Sequence, residues 1–172
     1  YLYIIMIKTK KRKIYWGKNT KKCIKRFKFT GYNTPKIIIK SYAIYKKCCA
    51  ITNNKFNLFN DPNIPKTIVK TCDEIIKNKH IDQFVLNLFQ SHTNINLNMN
   101  EVIANISMEM YNRSKKSKKN KLNIHPINHV NKSQSSNDSF PCTVHISVAF
   151  KLNKLLIILN NLIIEFKKIK NK

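Results

Sequence analysis

The chain has 172 residues, 42% hydrophobic and 24% charged, and its 33 Lys and Arg against 8 Asp and Glu give a formal net charge of +25. Such a charge ordinarily points to nucleic acid or an anionic surface, and a chain this long can close on one core that buries roughly 70% of its unfolded surface. Against a dedicated polyanion binder, only Arg12, Arg26 and Arg113 are arginine, whereas base and phosphate readout favours its planar fork, and Lys rises together with Asn and Ile, whose codons are rich in A and T.

Residues 1–14 are basic and read as a frayed, disordered N-terminus. Their apolar run at 2–7 is short and precedes its charges, the wrong order for a secretory signal. Ile38, Ala43, Ile44 and Cys48 predict a helix over residues 34–52, with Pro35 in its first turn. Asp61-Pro62 opens a second, carrying Ile64, Ile68, Cys72, Ile75 and Ile76 at helical spacing. Asn100-Glu101 begins a third that runs to about Tyr111. Residues 112–124, rich in Lys and without hydrophobic period, read as a charged loop. A final helix is expected over residues 141–169, where Val148, Leu152, Leu155, Leu159, Leu162, Phe166 and Ile169 form an unbroken heptad seam. Leu156, Ile157, Ile158, Ile163 and Ile164 widen it so far that other helices must surround it. Asn160 and Asn161 interrupt the apolar run 155–164, so no stretch reaches the roughly 18 residues of a membrane span. With only Gly17 and Gly31 to make tight turns, the fold class is all-α.

Cys23, Cys48, Cys49, Cys72 and Cys142 are odd in number and form no CxxC pair, so they read as small, mostly buried apolar residues of a reducing compartment. His125 and His129 lie four apart, but Pro126 intervenes and no Cys or acid joins them, so no metal and no cofactor is expected. The richest segment is 125–141, where Ser135-Ser136-Asn137-Asp138 precedes the long apolar helix. Ser and Asp are preferred N-caps, and a helix N-terminus with short hydroxyls and an amide suits a carboxylate. A polar loop with an ordinary cap is the plainer reading of the same residues.

Four ordered strings carry a resemblance: Tyr15-Trp16-Gly17 with Thr20; Asn96-Leu-Asn-Met-Asn-Glu-Val-Ile-Ala-Asn105; His125-Pro126; and Val130-Asn-Lys-Ser-Gln-Ser-Ser-Asn-Asp138 with Phe140-Pro141. Together they resemble the class II fumarases of the aspartase/fumarase superfamily, from about Tyr15 to the C-terminus. Aspartases share the scaffold but resemble Ser-Thr-Asn-Asp-Ala-Tyr-Pro where this chain has Ser135-Ser136-Asn137-Asp138-Ser139-Phe140-Pro141, so the fumarase branch is favoured.

The resemblance implies an N-terminal helical lyase domain over residues 15–138 and, over 139–172, the first long helix of a central bundle that four subunits pool. It implies reversible hydration of fumarate to L-malate in the tricarboxylic acid cycle, in the cytoplasm or a mitochondrial matrix, by a homotetramer with no membrane partner. Thr93, Ser135, Ser136 and Asn137 then lie at the substrate carboxylate, and His125 and Asn128 at a second dicarboxylate site. The chain departs from the pattern in several places. Gln90-Ser-His-Thr-Asn94 is about two residues shorter than the family's Gly-rich loop, Ile127 replaces an Asn, Leu122 a basic residue and Ile106 an arginine. The family's Thr-His pair and Gly-Ser-Ser loop, which hold its catalytic groups, have no counterpart among the 172 residues, so no catalytic residue is assigned. The competing expectation is a non-catalytic basic fragment that adheres to nucleic acid or partners without specificity.

Overall fold

The computed structural model describes residues 13–26, 33–88, 91–114 and 121–170, and within them five α-helices: α1 (Lys18–Arg26), α2 (Lys36–Lys55), α3 (Asn63–Ile76), α4 (His92–Ser114) and α5 (Ser136–Lys170). A 3₁₀ turn at Ile81–Gln83 and a π turn at Pro126–Val130 lie between them, and no strand occurs among the described residues. A backbone bridge joins Asn33 to Asn87, where Thr34 donates to the Leu86 carbonyl from both N–H and Oγ1. The all-α expectation is met.

The core is built where α2, α3 and α4 meet. Ile39, Tyr42 and Ala43 of α2, Ile68, Cys72 and Ile75 of α3, and Met99, Val102, Ile103 and Ile106 of α4 are all buried, with Phe84, Ile124 and Val130 closing the ends. Each such side chain contributes about 1.5–3 kcal/mol when removed from water. α3 begins where predicted, after Asp61 Oδ1 accepts the Asn63 N–H at 2.8 Å.

Three boundaries and one element differ from the sequence expectation. α4 begins at His92, two turns before Asn100, because Ile95 and Met99 extend the buried stripe backwards and outweigh the weak helix propensity of the asparagines between them. α5 begins at Ser136, because Ser135 caps it, and Pro141 therefore sits inside the helix and not in its first turn. Residues 112–114 belong to α4, while 115–120 and 1–12 lie outside the described residues; the supposed loop also sends Leu122 and Ile124 into the core. α1, Lys-rich and with only Thr20 and Cys23 buried on its inner face, is the element that the hydrophobic pattern does not predict. Of the cysteines, only Cys23 and Cys72 are buried, with Cys48 and Cys142 exposed, and all five are free.

The family-like strings at the front of the chain explain α1. Glu101 of α4 accepts from the backbone N–H of Gly17 (2.8 Å), Asn19 (2.9 Å) and Thr20 (3.1 Å) and from Thr20 Oγ1 (2.7 Å). A carboxylate supplied from another helix thus satisfies the first N–H groups of α1 and meets its positive dipole end. Asn98 donates to Thr20 Oγ1 at 3.2 Å, and Asn105 donates to the Tyr15 carbonyl at 2.6 Å. A Cβ on Gly17 would stand 3.0 Å from the Glu101 carboxyl, which would have to give by a few tenths of an ångström to admit it.

α5 docks on α2 through Ser139, Thr143 and Ser147, its only buried residues, spaced four apart. Ser139 Oγ lies 3.4 Å from the Tyr42 hydroxyl, and Ser147 Oγ donates to the Ile37 carbonyl at 3.4 Å. Beyond Ser147 the heptad seam is exposed, from Val148 at 47% to Ile169 at 68%; its first turns, Val148, Leu152 and Leu155, share an open groove with Ile37 and Ile38 of α2. An 18-residue window of α5 has mean hydropathy 1.6, so by length and composition it is long and apolar enough to cross a membrane. That corrects the expectation that no stretch qualifies: the helix is longer than the uninterrupted apolar run, and the Asn and Lys positions do not lower the mean enough.

Candidate functional site

Two helix N-termini converge at the surface. At the start of α5, Ser135 Oγ accepts the Asn137 N–H at 3.1 Å and the Ser135 carbonyl accepts Asp138 and Ser139 N–H at 3.3 and 3.0 Å. At the start of α4, the Ser91 carbonyl accepts Asn94 and Ile95 N–H at 2.8 and 3.3 Å. The heads touch through side chains: Thr93 Oγ1 lies 3.4 Å from Ser136 Oγ, and His92 Nε2 lies 3.1 Å from Asn137 Oδ1. The His92 ring also leans on Phe140, centroids 6.1 Å apart. Thr93, Ser135 and Asn137 are exposed and Ser136 half-buried, so their polar atoms face solvent at two positive dipole ends. Such a cluster of neutral donors can hold an anion's oxygens, with Asp138 the acidic residue in the first turn of α5.

Thr93, Ser136 and Asn137, read from separate strings, are therefore brought together, with Ser135 as the cap behind them. His92, which sequence reasoning left without a role, belongs to the same cluster.

His125 and Asn128 do not join it by any hydrogen bond among the described residues. His125 Nδ1 accepts the N–H of Ile127 and of Asn128, both at 3.1 Å, and its own N–H donates to His129 Nδ1 at 2.9 Å. The imidazole caps the π turn, which leaves Nε2 as its outward polar atom. Burial pushes the His129 pKa below its ordinary value, assisted by His125 and Lys132.

Behind the cluster lies a buried polar network. Lys46 of α2 donates to Asn131 Oδ1 at 2.8 Å and to Gln134 Oε1 at 2.9 Å. Asn131 Oδ1 also accepts from Asn96 (3.0 Å) and Asn100 (3.1 Å) of α4. Asn131 donates to the Gln134 carbonyl at 2.9 Å, and Gln134 donates to the Val130 and Lys132 carbonyls at 3.0 and 3.2 Å. The polar residues of the string from Asn96 to Asn105 thus divide by helical face: Asn96 and Asn100 serve this loop, while Asn98, Glu101 and Asn105 serve the front of the chain.

Serines, a threonine and an amide thus stand together at two paired helix heads on an all-helical scaffold, an arrangement able to receive an anion. The profile described as Lyase matches residues 7–172, and the chain belongs to that lyase family. It is 41% identical over 147 residues to the mitochondrial fumarate hydratase of Dictyostelium discoideum, an alignment covering 83% of this chain and 30% of the relative. It is also 41% identical over 144 residues to an aspartate ammonia-lyase of a Bacillus species, covering 83% and 30% respectively. Among solved structures it resembles a class II fumarase from Schistosoma mansoni, with TM-score 0.71 and 33% identity over 79% of this chain and 28% of that one. The fumarase resemblance and the helical lyase fold read from the sequence are borne out. The chain spans about a third of the length of the curated relatives it matches.

Proposed function

We propose that the chain supplies the substrate-carboxylate side of a class II fumarate hydratase, which adds water to fumarate to give L-malate and reverses the step. The observation that carries the reading is the meeting of the α4 and α5 heads, with Thr93 against Ser136 and His92 against Asn137. Hydration at an activated double bond places negative charge on a carboxylate in the transition state, and fixed neutral donors at helix ends stabilise that charge more than they stabilise bound substrate. Thr93, Ser135, Ser136 and Asn137 are assigned to this carboxylate, and His125 and Asn128, through the outward His125 Nε2, to a second dicarboxylate site. Residues 15–138 form the N-terminal helical lyase domain and 139–172 the first long helix of a central bundle completed by a homotetramer. Proton abstraction and delivery are assigned to groups outside these 172 residues. The reading places the chain in the cytoplasm or, in a eukaryote, in the mitochondrial matrix.

The test is to mix the chain with a polypeptide carrying the remaining two-thirds of a relative and follow fumarate loss by ultraviolet absorbance. Turnover is expected in the mixture and not from the chain alone. In the active mixture, Asn137→Ala should lower kcat/KM by one to three orders of magnitude, on the order of 2–4 kcal/mol, the effect of removing a donor to a developing anion. Unchanged kinetics would make the loop structural only. The 41% identity to an aspartate ammonia-lyase favours one second reading, and ammonia release from L-aspartate by the same mixture would support it.

A further inference from the structure

Lys46 is fully buried and lies on the inward stripe of α2, with Ile39, Tyr42, Ala50 and Asn53. Its ammonium sits 5.9 Å from the Tyr42 ring centroid and touches two amide oxygens, but no carboxylate among the described residues forms an ion pair with it. A cation removed from water without an anion is costly, and the usual outcome is loss of its proton. Both amide oxygens belong to the loop that ends at Ser135. Asn131 and Gln134 are in turn bonded to each other and to the loop's own carbonyls, so Lys46 is the titratable anchor of a loop that Asn96 and Asn100 of α4 and Asn53 of α2, whose amide donates to the Lys132 carbonyl at 2.9 Å, also hold.

We propose that Lys46 is the positioning residue of the carboxylate loop: it ties residues 131–134 to α2, and the loop closes on it more firmly when the amine is neutral than when it carries a proton, unless an anion on Ser135, Ser136 and Asn137 supplies the missing charge. A neutral amine still has two N–H groups, enough for Asn131 Oδ1 and Gln134 Oε1. Burial lowers the Lys46 pKa from 10.5 to about 7. An opening that hydrates the amine returns it to the ordinary lysine range, so above about pH 7 the open loop binds more protons than the closed one. Closure therefore strengthens as pH rises from 7, and the gain is lost as pH falls back to 7.

The groups facing Lys46 leave this assignment clear. Tyr42 and Cys49 lie on its own helix, Cys72 on α3, the neutral Asn96 and Asn100 on α4, and Ser139 of α5 behind Tyr42. His129 and Lys132 are the loop's own charged or titratable groups. Burial pushes Tyr42 and Cys72 up to about 12, pushes Cys49 up as well, and pushes His129 down. Burial thus moves Tyr42, Cys49, Cys72 and His129 away from neutral pH and moves Lys46 toward it.

Only the clause about the anion rests on the proposed function, and the test separates the two. Hydrogen exchange of the full chain is followed by mass spectrometry for peptides covering 126–139, corrected for intrinsic rates, at pH 6.5 and 8.5, with and without fumarate at constant ionic strength. In the unmodified chain, protection should rise on the order of tenfold between the two pH values, while peptides of the α2–α3 core stay unchanged. Fumarate should add protection mainly at pH 6.5. Lys46→Met should abolish the pH dependence, and Lys47→Met, which removes the surface pair with Asp73, should retain it. If Lys46→Met does not fold, Asn131→Asp decides: a carboxylate beside the ammonium keeps it charged and should flatten the pH response. A flat response in the unmodified chain, or a pH response that survives in Lys46→Met or Asn131→Asp, overturns the proposal. A Lys46-dependent response that fumarate does not alter supports the positioning role and counts against the carboxylate reading of the site.

Discussion

At Glu101 one side chain does the work that a local cap ordinarily performs. Its four hydrogen bonds to residues 17–20 replace the missing helical partners of α1, a Lys-rich segment otherwise held by the Asn98 bond to Thr20 and the burial of Cys23. Glu101→Gln keeps the shape but removes the charge and one acceptor, and should cost about 2 kcal/mol in chemical denaturation, with earlier tryptic cleavage in 18–26. Gly17→Ala should cost about 1–3 kcal/mol by overpacking. Because its added methyl meets the Glu101 carboxyl at 3.0 Å, the cost should shrink in a Glu101→Ala background, and strict additivity of the two changes would disprove the contact. Part of this was legible in sequence. The motif residues could be picked out, but nothing in their spacing says that Asn98, Glu101 and Asn105 grip a segment some eighty residues earlier. Lys46 left a signal that went unused: it stands on the 39–42–46–50–53 stripe, where a lysine has no business unless something receives its charge. His92 left none, since its partner Asn137 is 45 residues away and only the fold joins them.

Among the elements, α5 shows where pattern reading succeeds and where it misleads. Its heptad seam is plain in the sequence, and the helix is there. The face that docks it within the chain is the opposite kind, a row of Ser139, Thr143 and Ser147 whose smallness lets α5 lie close against Tyr42 and Ile37. Hydrophobic periodicity is blind to such a row. Ser147→Leu should therefore destabilise by about 1–3 kcal/mol, although it adds apolar surface, and a raised Tm would show that the two helices are not closely packed there. Pro141 misled the boundary for a related reason. It lacks the N–H that the Asn137 carbonyl would receive in a regular helix, and the cap at Ser135 outweighs that loss.

Across the whole molecule, the exposed seam dominates solution behaviour. Leu152, Leu155, Leu159 and Leu162 are 43–48% exposed on one face, an apolar area too large to remain solvated on its own. The chain should associate in a concentration-dependent way, and the paired change Leu155→Glu and Leu162→Glu should return it to a monomer in sedimentation without loss of helix content. A monomer at all concentrations in the unmodified chain would refute this. The net charge of +25 works against association at low salt, so added salt should tighten it. The need for surrounding helices could be inferred from the breadth of the apolar face. What surrounds them could not, because the 172 residues cover about a third of their relatives.

Mechanically, α5 is a cantilever. Its clamp is the short row of small residues from Ser139 to Ser147, and the length beyond it, from Val148 to Lys170, projects for roughly 35 Å at 1.5 Å per residue. Ser136 and Asn137 sit just behind the clamp, on the same rigid rod. A beam held this way converts a small sideways load on its tip into a torque at its root. A partner that grips the seam would thereby act on how Ser136 and Asn137 stand against Thr93 and His92 without ever approaching them.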